Sequence, residues 1–222
     1  MKKLTFLITS GPTREYIDPV RFISNDSSGK MGRALALSAL KRGHKVIFIS
    51  GPSGVYPSSK AEIIKVVSAA DMFKAVKKNL FKADVVIGAA AVSDFKPVFF
   101  HRHKIKKTGD NQTGGVLIKL KKNPDIIAYC AKNKRSRIVA GFALETKDLI
   151  KNARGKMKDK NLDLVVANAK ESISCDLASV FIINKNGGML KLENAGKKFI
   201  AGKIIDEIIG IYKNNQIGKK CS

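Results

Sequence analysis

Apolar positions along the chain fall into short unbroken runs, separated by longer stretches in which they recur at helical spacing. The runs LTFLIT (4–9), KVIFIS (45–50), VVIGAA (85–90), RIVAGFAL (137–144) and LVVAN (164–168) are short and mostly rich in β-branched residues, which predicts buried strands. Their near-continuous hydrophobicity, in place of alternation, is what a parallel sheet covered on both faces requires. Helical spacing predicts helices over 29–42, 71–81, 124–132, 147–160 and 198–213. SVFIIN and MLKL flank KNGG, where Gly187 and Gly188 supply the turn of a hairpin. The alternation predicts an α/β fold, a three-layer Rossmann-like or ribokinase-like sandwich with a mainly parallel sheet. KIKKTGDNQTGGVLIKLKK (104–122) breaks the pattern with a polar, Gly-rich centre, and it predicts a protruding β-hairpin with a mobile tip. One domain over 1–222 carrying this excursion is the simplest organisation, with no internal repeat or low-complexity linker.

In such sheets ligands bind beyond the carboxyl ends of the strands, so the residues that follow each strand carry the candidate chemistry. The first strand is followed by SGPTREYIDPVRFISNDSSGKMG, much longer than an ordinary βα connection. Its SNDSSGKMG end, small residues just ahead of a helix, suits the binding of a phosphate. It is not a Walker loop: Ser24 and Met31 stand where G-x-x-x-x-G-K-[ST] requires Gly and Ser or Thr. No G-x-G-x-x-G occurs either. AAAVSDFKP follows the third strand, where alanines allow close approach to the backbone and Asp94 can accept hydrogen bonds. In KNPDI, Asn123 is the expected N-cap, with Pro124 at the first helical position and Asp125 favoured by the helix dipole. Plain capping would explain those three residues without a ligand. GFALET puts Gly141 and Phe142 at the rim after the fourth strand.

Charge widens the picture without choosing a partner. The chain has 42 Lys+Arg against 18 Asp+Glu, a formal charge of +24, spread along its length with no basic tail. Such an excess attracts nucleic acid, nucleotides, phosphorylated metabolites or acidic lipid, and a solvated lysine-rich surface has the same composition. A nucleic-acid-binding module would interleave aromatic residues with basic ones. Aromatics are only 7%, Trp is absent, and FKPVFF is the sole basic-aromatic cluster. Three separated cysteines, Cys130, Cys175 and Cys221, suit reduced thiols in a cytoplasmic protein. No apolar run approaches the roughly 18 residues of a membrane helix. His101 and His103 share one face of a strand-like stretch, but Arg102, Lys104 and the basic residues beyond argue against a bound cation.

The motifs ITSGPTREYIDPVRFISNDSSGKMG, AAAVSDFKP, KIKK, KNPDI, GFALET and KMKDKNLDLVVAN, in that order, resemble phosphopantothenoylcysteine synthetase of coenzyme A biosynthesis over essentially the whole chain. The resemblance implies a ligase joining phosphopantothenate to cysteine through an acyl-nucleotidylate, using CTP or, as an alternative, ATP, with Mg2+. It implies a homodimer and, as a further partner, a flavin-dependent decarboxylase. That enzyme is often fused ahead of this domain, but the first strand here begins just after Met1, so a stand-alone or cut synthetase is expected. It also implies site residues: Asn25 holding the intermediate, Arg21 beside it, and Lys104 reaching the triphosphate. Ser28, Gly29 and Gly32 match a phosphate-facing loop, and Gly88, Ala89, Ala90 and Asp94 a nucleotide-facing turn. Asn123, Pro124, Asp125, Ile126, Ile127 and Phe142 match the base and ribose lining, and Lys156 and Lys160 the pair on the phosphate tail. No metal-ligating side chain, nucleic-acid partner or membrane partner is implied. Ala169 departs from the family at a position where an acidic residue is common. Without the resemblance, GKMKDK would read as a solvated charge run, Phe142 as core, and Asn25 and Arg21 as loop hydrogen-bonders. A kinase or NAD-dependent reductase is the remaining enzyme reading, and the missing glycine fingerprints count against both.

Overall fold

The computed structural model describes residues 2–106, 115–145, 147–169 and 177–218. Strand β1 (Thr5–Ser10) leads into two short strands, β2 (Arg14–Tyr16) and β3 (Phe22–Ser24), and then helix α1 (Lys30–Lys41). Next come β4 (Lys45–Ser50), β5 (Glu62–Lys65) and α2 (Ala69–Asn79), followed by β6 (Val85–Gly88), β7 (Phe95–Pro97) and β8 (Leu120–Lys122). The rest is α3 (Ile126–Lys132), β9 (Ile138–Glu145), α4 (Leu149–Asp159), β10 (Leu164–Ala169), the hairpin β11 (Leu177–Asn184) and β12 (Met189–Gly196), and α5 (Lys197–Gly218).

The central sheet has 8 strands in the order β12-β11-β10-β9-β6-β1-β4-β5. Pairing is parallel from β5 through to β10, and β11 and β12 add an antiparallel edge. Strand order reverses at β1: the chain first runs outward to β4 and β5, then returns to β6 on the other side. That reversal is the topological switch point of a doubly wound sheet, and it opens a crevice beyond β1 and β6.

Alternation along each strand divides the core. Phe6, Ile8, Phe48 and Ile87 face α1 and α5, meeting Leu35, Ala39, Ile204 and Ile208. Leu7, Ile49, Val86 and Val139 face the other way, onto Met72 and Val76 of α2 and Ile126 and Cys130 of α3. Val165, Ala167 and Ala143 pack with Ala153 of α4. The predicted three-layer sandwich and its strands are therefore present, and the 184–188 turn closes as expected, with Gly187 at φ 90° and Asn184 Oδ1 accepting from the N–H groups of Asn186 and Gly188.

Three features differ from the sequence expectation. The first βα connection contains an antiparallel pair, β2 with β3, too short to carry a period. β5 has Glu62 and Lys65 exposed at its ends, so it lacks the continuous apolar run of a central strand. Residues 104–106 form no strand. The arm 120–122 pairs with Phe95–Pro97, so the ladder at the root of the excursion begins earlier in the chain than the KIKK arm. Positions 107–114, including the proposed tip, lie outside the described residues.

Candidate functional site

A cavity of about 170 Å³ lies in the crevice at the switch point. β1 supplies Thr9 and β6 supplies Gly88 near their carboxyl ends, β6 also supplies Val86, and β9 supplies Gly141 and Phe142 from its middle. The chain after β6 adds Ala90, Val92, Ser93 and Asp94. Asn123, Pro124 and Asp125 lead into α3, whose first turn contributes Ile126 and Ile127. Lys156 and Lys160 close it from α4 and its end.

Backbone bonds shape the wall. Ala89 N–H donates to Thr9 C=O, Ala91 N–H to Gly11 C=O, and Thr13 N–H to Ala91 C=O, so the two loops beyond β1 and β6 are laced together. Thr13 Oγ1 accepts from Ser93 N–H, and Asn123 Nδ2 donates to Ser93 C=O at 2.9 Å. These bonds leave Ser93 Oγ and Asn123 Oδ1 buried and without a hydrogen-bond partner. Buried polar groups of that kind are rare in folded proteins, and both belong to residues of one cavity wall.

Asp125, not Asn123, is the N-cap of α3: its Oδ1 accepts from Ala128 N–H at 3.0 Å. Asn123 is engaged instead across the loop, its backbone N–H donating to Asp94 C=O. Pro124 accordingly sits before the helix rather than in its first turn. Burial pushes the Asp125 carboxyl upward. The bond from Lys160 Nζ at 2.5 Å, the cap and the nearby Lys156 charge outweigh this and hold it below the usual range. Lys156 Nζ donates to Phe142 C=O at 2.8 Å, which turns its charge toward the cavity wall. Cys130 is fully buried in the floor, and burial pushes its thiol up to about 12, so it stays a neutral apolar surface.

Asn25 is not among the residues lining the cavity, but its Nδ2 donates to the C=O of Val92, which is, at 3.0 Å. The small sheet that carries it is fixed by Glu15, whose carboxylate accepts from Ala69 N–H at the start of α2, and by Ser24 Oγ donating to Thr13 C=O. Arg21 and Lys104 do not line the cavity. Arg21 pairs with buried Asp18 and donates to Ile105 C=O, and Lys104 is exposed next to that contact.

Ser28, Gly29 and Gly32 also stand apart from the cavity, on the β4 side of β1. Gly29 N-caps α1 at φ 72°, its carbonyl accepting from Ser10 Oγ, with Ser53 so close that a Cβ would fall 2.8 Å from Ser53 Oγ. Gly32 lies on Ser10. Ala89 packs against the core and shapes the wall only through its backbone. Thr9, Val86, Val92, Ser93 and Cys130 were not singled out as site residues from sequence, whereas Gly141 lines the cavity beside Phe142 as the GFALET reading expects. Thr9 could have been found as a residue near the carboxyl end of the first strand, whereas Cys130 carries no signal that separates it from core.

The model of the DNA/pantothenate metabolism flavoprotein C-terminal domain matches residues 1–212. The chain belongs to that family. Among its relatives is the coenzyme A biosynthesis bifunctional protein CoaBC of Bacillus subtilis, 43% identical over 212 residues, a match that covers 93% of this chain and 51% of that protein. The chain thus spans about half the length of the curated relatives it matches. Among solved structures, the C-terminal domain of a CoaBC protein is similar with TM-score 0.83 and 34% identity, covering 96% of this chain and 98% of that one. A Cab2 mutant in complex with phosphopantothenate-cysteine has the same fold at TM-score 0.83 and 20% identity, covering 98% of this chain and 89% of that one. Among the described residues, no three His, Cys, Asp or Glu side chains gather at a metal-binding spacing. No helix among them is long and apolar enough to cross a membrane.

Proposed function

We propose that this chain joins phosphopantothenate to cysteine in coenzyme A biosynthesis, consuming CTP. The observation that carries the reading is the switch-point cavity, where KNPDI, AAAVSDF, GFALE and the lysine pair of α4 converge from separate parts of the sequence. The names of the relatives supply coenzyme A biosynthesis, and the related fold of the Cab2 mutant was solved in complex with phosphopantothenate-cysteine.

In the proposed reaction the phosphopantothenate carboxylate attacks the α-phosphate of the nucleotide, forming an acyl-nucleotidylate and releasing pyrophosphate. The cysteine amine then attacks the acyl carbon, CMP leaves with the bonding electron pair, and the amine loses its proton as the amide forms. A base seated among Gly88, Ile126, Ile127 and Phe142 would meet Ser93 Oγ and Asn123 Oδ1, and a carbonyl acceptor suits the exocyclic amine of cytosine. Lys156 and Lys160 would exchange their internal partners for phosphate oxygens, and charge on the developing pentacoordinate phosphorus is what such lysines stabilise. Asn25 would hold the carboxylate end as a neutral donor. Magnesium would arrive with the triphosphate as part of the substrate.

A homodimer belongs to the same reading. Tyr16, Val20 and Phe22 on the β2–β3 side and Phe95, Phe99, Phe100 and Leu120 on the β7–β8 side are exposed. His101 N–H donates to Ile17 C=O, which joins the two sides into one face. Exposed apolar surface of that extent is characteristic of an interface.

The test is pyrophosphate release with phosphopantothenate and each nucleoside triphosphate, with and without cysteine. CTP should support release more efficiently than ATP, and amide should form only when cysteine is added. A chain that releases no pyrophosphate with any triphosphate would overturn the reading.

A further inference from the structure

We propose that Asp18 is a positioning residue that fixes the Lys104 segment relative to the loop carrying Arg21 and Asn25; the inference rests on the reading above. Asp18 is fully buried, an expensive place for a carboxylate unless every oxygen is used. Its two oxygens have separate jobs. Oδ1 accepts from the backbone N–H groups of Val20 and Arg21, both at 2.8 Å, and closes the local turn. Oδ2 faces outward from that turn, accepting from Arg21 Nε at 2.9 Å and from Ile105 N–H at 3.2 Å. Arg21 Nη2 reaches Oδ2 at 2.6 Å and donates to Ile105 C=O at 2.7 Å.

Ile105 is therefore held at both of its backbone polar groups, the N–H by Asp18 and the C=O by the arginine Asp18 orients. Because residues 104–106 belong to no strand, no ladder performs this task. A second anchor from the same loop, Ile17 C=O accepting from His101 N–H at 2.9 Å, ties down the approach to the segment. Lys104 is the residue next to the clamp. Burial pushes the Asp18 carboxyl upward, but the bonds from Val20, Arg21 and Ile105 outweigh it and hold the group far below the usual range, ionised at neutral pH. Arg21 is accordingly committed to the protein itself in this arrangement, and its influence on the reaction runs through the clamp.

The division between the two oxygens makes the idea separable from simple folding. In Asp18→Asn the remaining carbonyl can keep the Val20 and Arg21 turn, while the amide NH2 must face the donors of Arg21 and Ile105, and the clamp opens. A reacting group misplaced by this opening costs rate, so single-turnover pyrophosphate release should fall by about tenfold or more while the melting temperature stays within a few degrees. Combined with Lys104→Gln, Asp18→Asn should add less than about twofold, because both act on one contact. Tryptic cleavage after Arg102, Lys104 and Lys106 should accelerate in Asp18→Asn, whatever the activity.

Additive rate losses in the double variant would overturn the inference, as would unchanged cleavage. If Asp18→Asn does not fold, Ile105→Pro removes the N–H that Asp18 accepts, together with the isoleucine side chain, and it should give the same loss of release and faster tryptic cleavage after Arg102 and Lys106, the Lys104–Pro bond itself being resistant to trypsin; parent-like values in both would overturn the inference. Absence of pyrophosphate release by the parent chain would count against the proposed function, whereas additivity in an active parent would count against the clamp alone.

Discussion

Asn25 is a loop anchor that the proposed reaction would also use. Its amide donates to the carbonyls of Val92 and Ala91, so it points at the strip of backbone that forms the cavity wall. A carboxylate there cannot donate, and it would face two carbonyl oxygens as well as the incoming anionic substrates. Asn25→Asp should lower amide formation by at least about a hundredfold, in the range of losing one donor to developing charge. The residue is exposed, so the stability loss should be about 1 kcal/mol, the scale of one hydrogen bond. Steady-state product formation and a thermal melt check the two halves, and near-parent turnover would remove Asn25 from the site. The sequence singled this residue out only through the family resemblance of its motif; without it, Asn25 reads as a loop hydrogen-bonder. Ser93 was quoted within AAAVSDFKP but not selected, since nothing in sequence separates a serine with an orphaned hydroxyl from any loop serine.

Elements are positioned by close approaches that the sequence records only as glycine. On α1, a Cβ at Gly32 would fall 2.2 Å from Ser10 Oγ and 2.5 Å from Ser10 Cβ, so the helix lies directly on the end of β1. Gly32→Ala should force α1 away from the sheet and cost about 1–3 kcal/mol as an overpacked contact, offset in part by the roughly 1 kcal/mol that alanine gains in a helix. Gly155 on α4 has nothing within 4 Å of an added Cβ, so Gly155→Ala should stabilise by about 0.5–1 kcal/mol. Urea melts of the two variants check the contrast, and shifts of the same sign would contradict this account of α1. At this scale helices and central strands were legible from periodicity. The α3 cap was misassigned because Asn123 and Asp125 are both good caps, and only the long-range bonds of Asn123 to Ser93 and Asp94 decide between them.

At the scale of the whole molecule, the two small sheets make an apolar face on a chain whose formal charge is +24. Like charge opposes self-association, so the proposed dimer needs apolar contact to offset it, and that face offers such contact. Phe99 and Phe100 are 72% and 57% exposed, and each would contribute about 1.5–3 kcal/mol if fully covered. Replacing both with Ser should convert a sedimenting dimer into monomer at micromolar concentration, and a double variant that still sediments as a dimer would place the interface elsewhere. The sequence by itself determined the layered α/β architecture, because buried parallel strands and amphipathic helices each impose a local period. It also carried the family, because the first motif is long and its residues lie close together in the chain. Only the tertiary structure decided which of those motifs share a cavity. Gly88, Asn123, Phe142 and Lys156 converge there while Ser28, Gly29 and Gly32 lie on the other side of β1. Strand order determines that division, and strand order follows from packing between distant segments rather than from any local pattern.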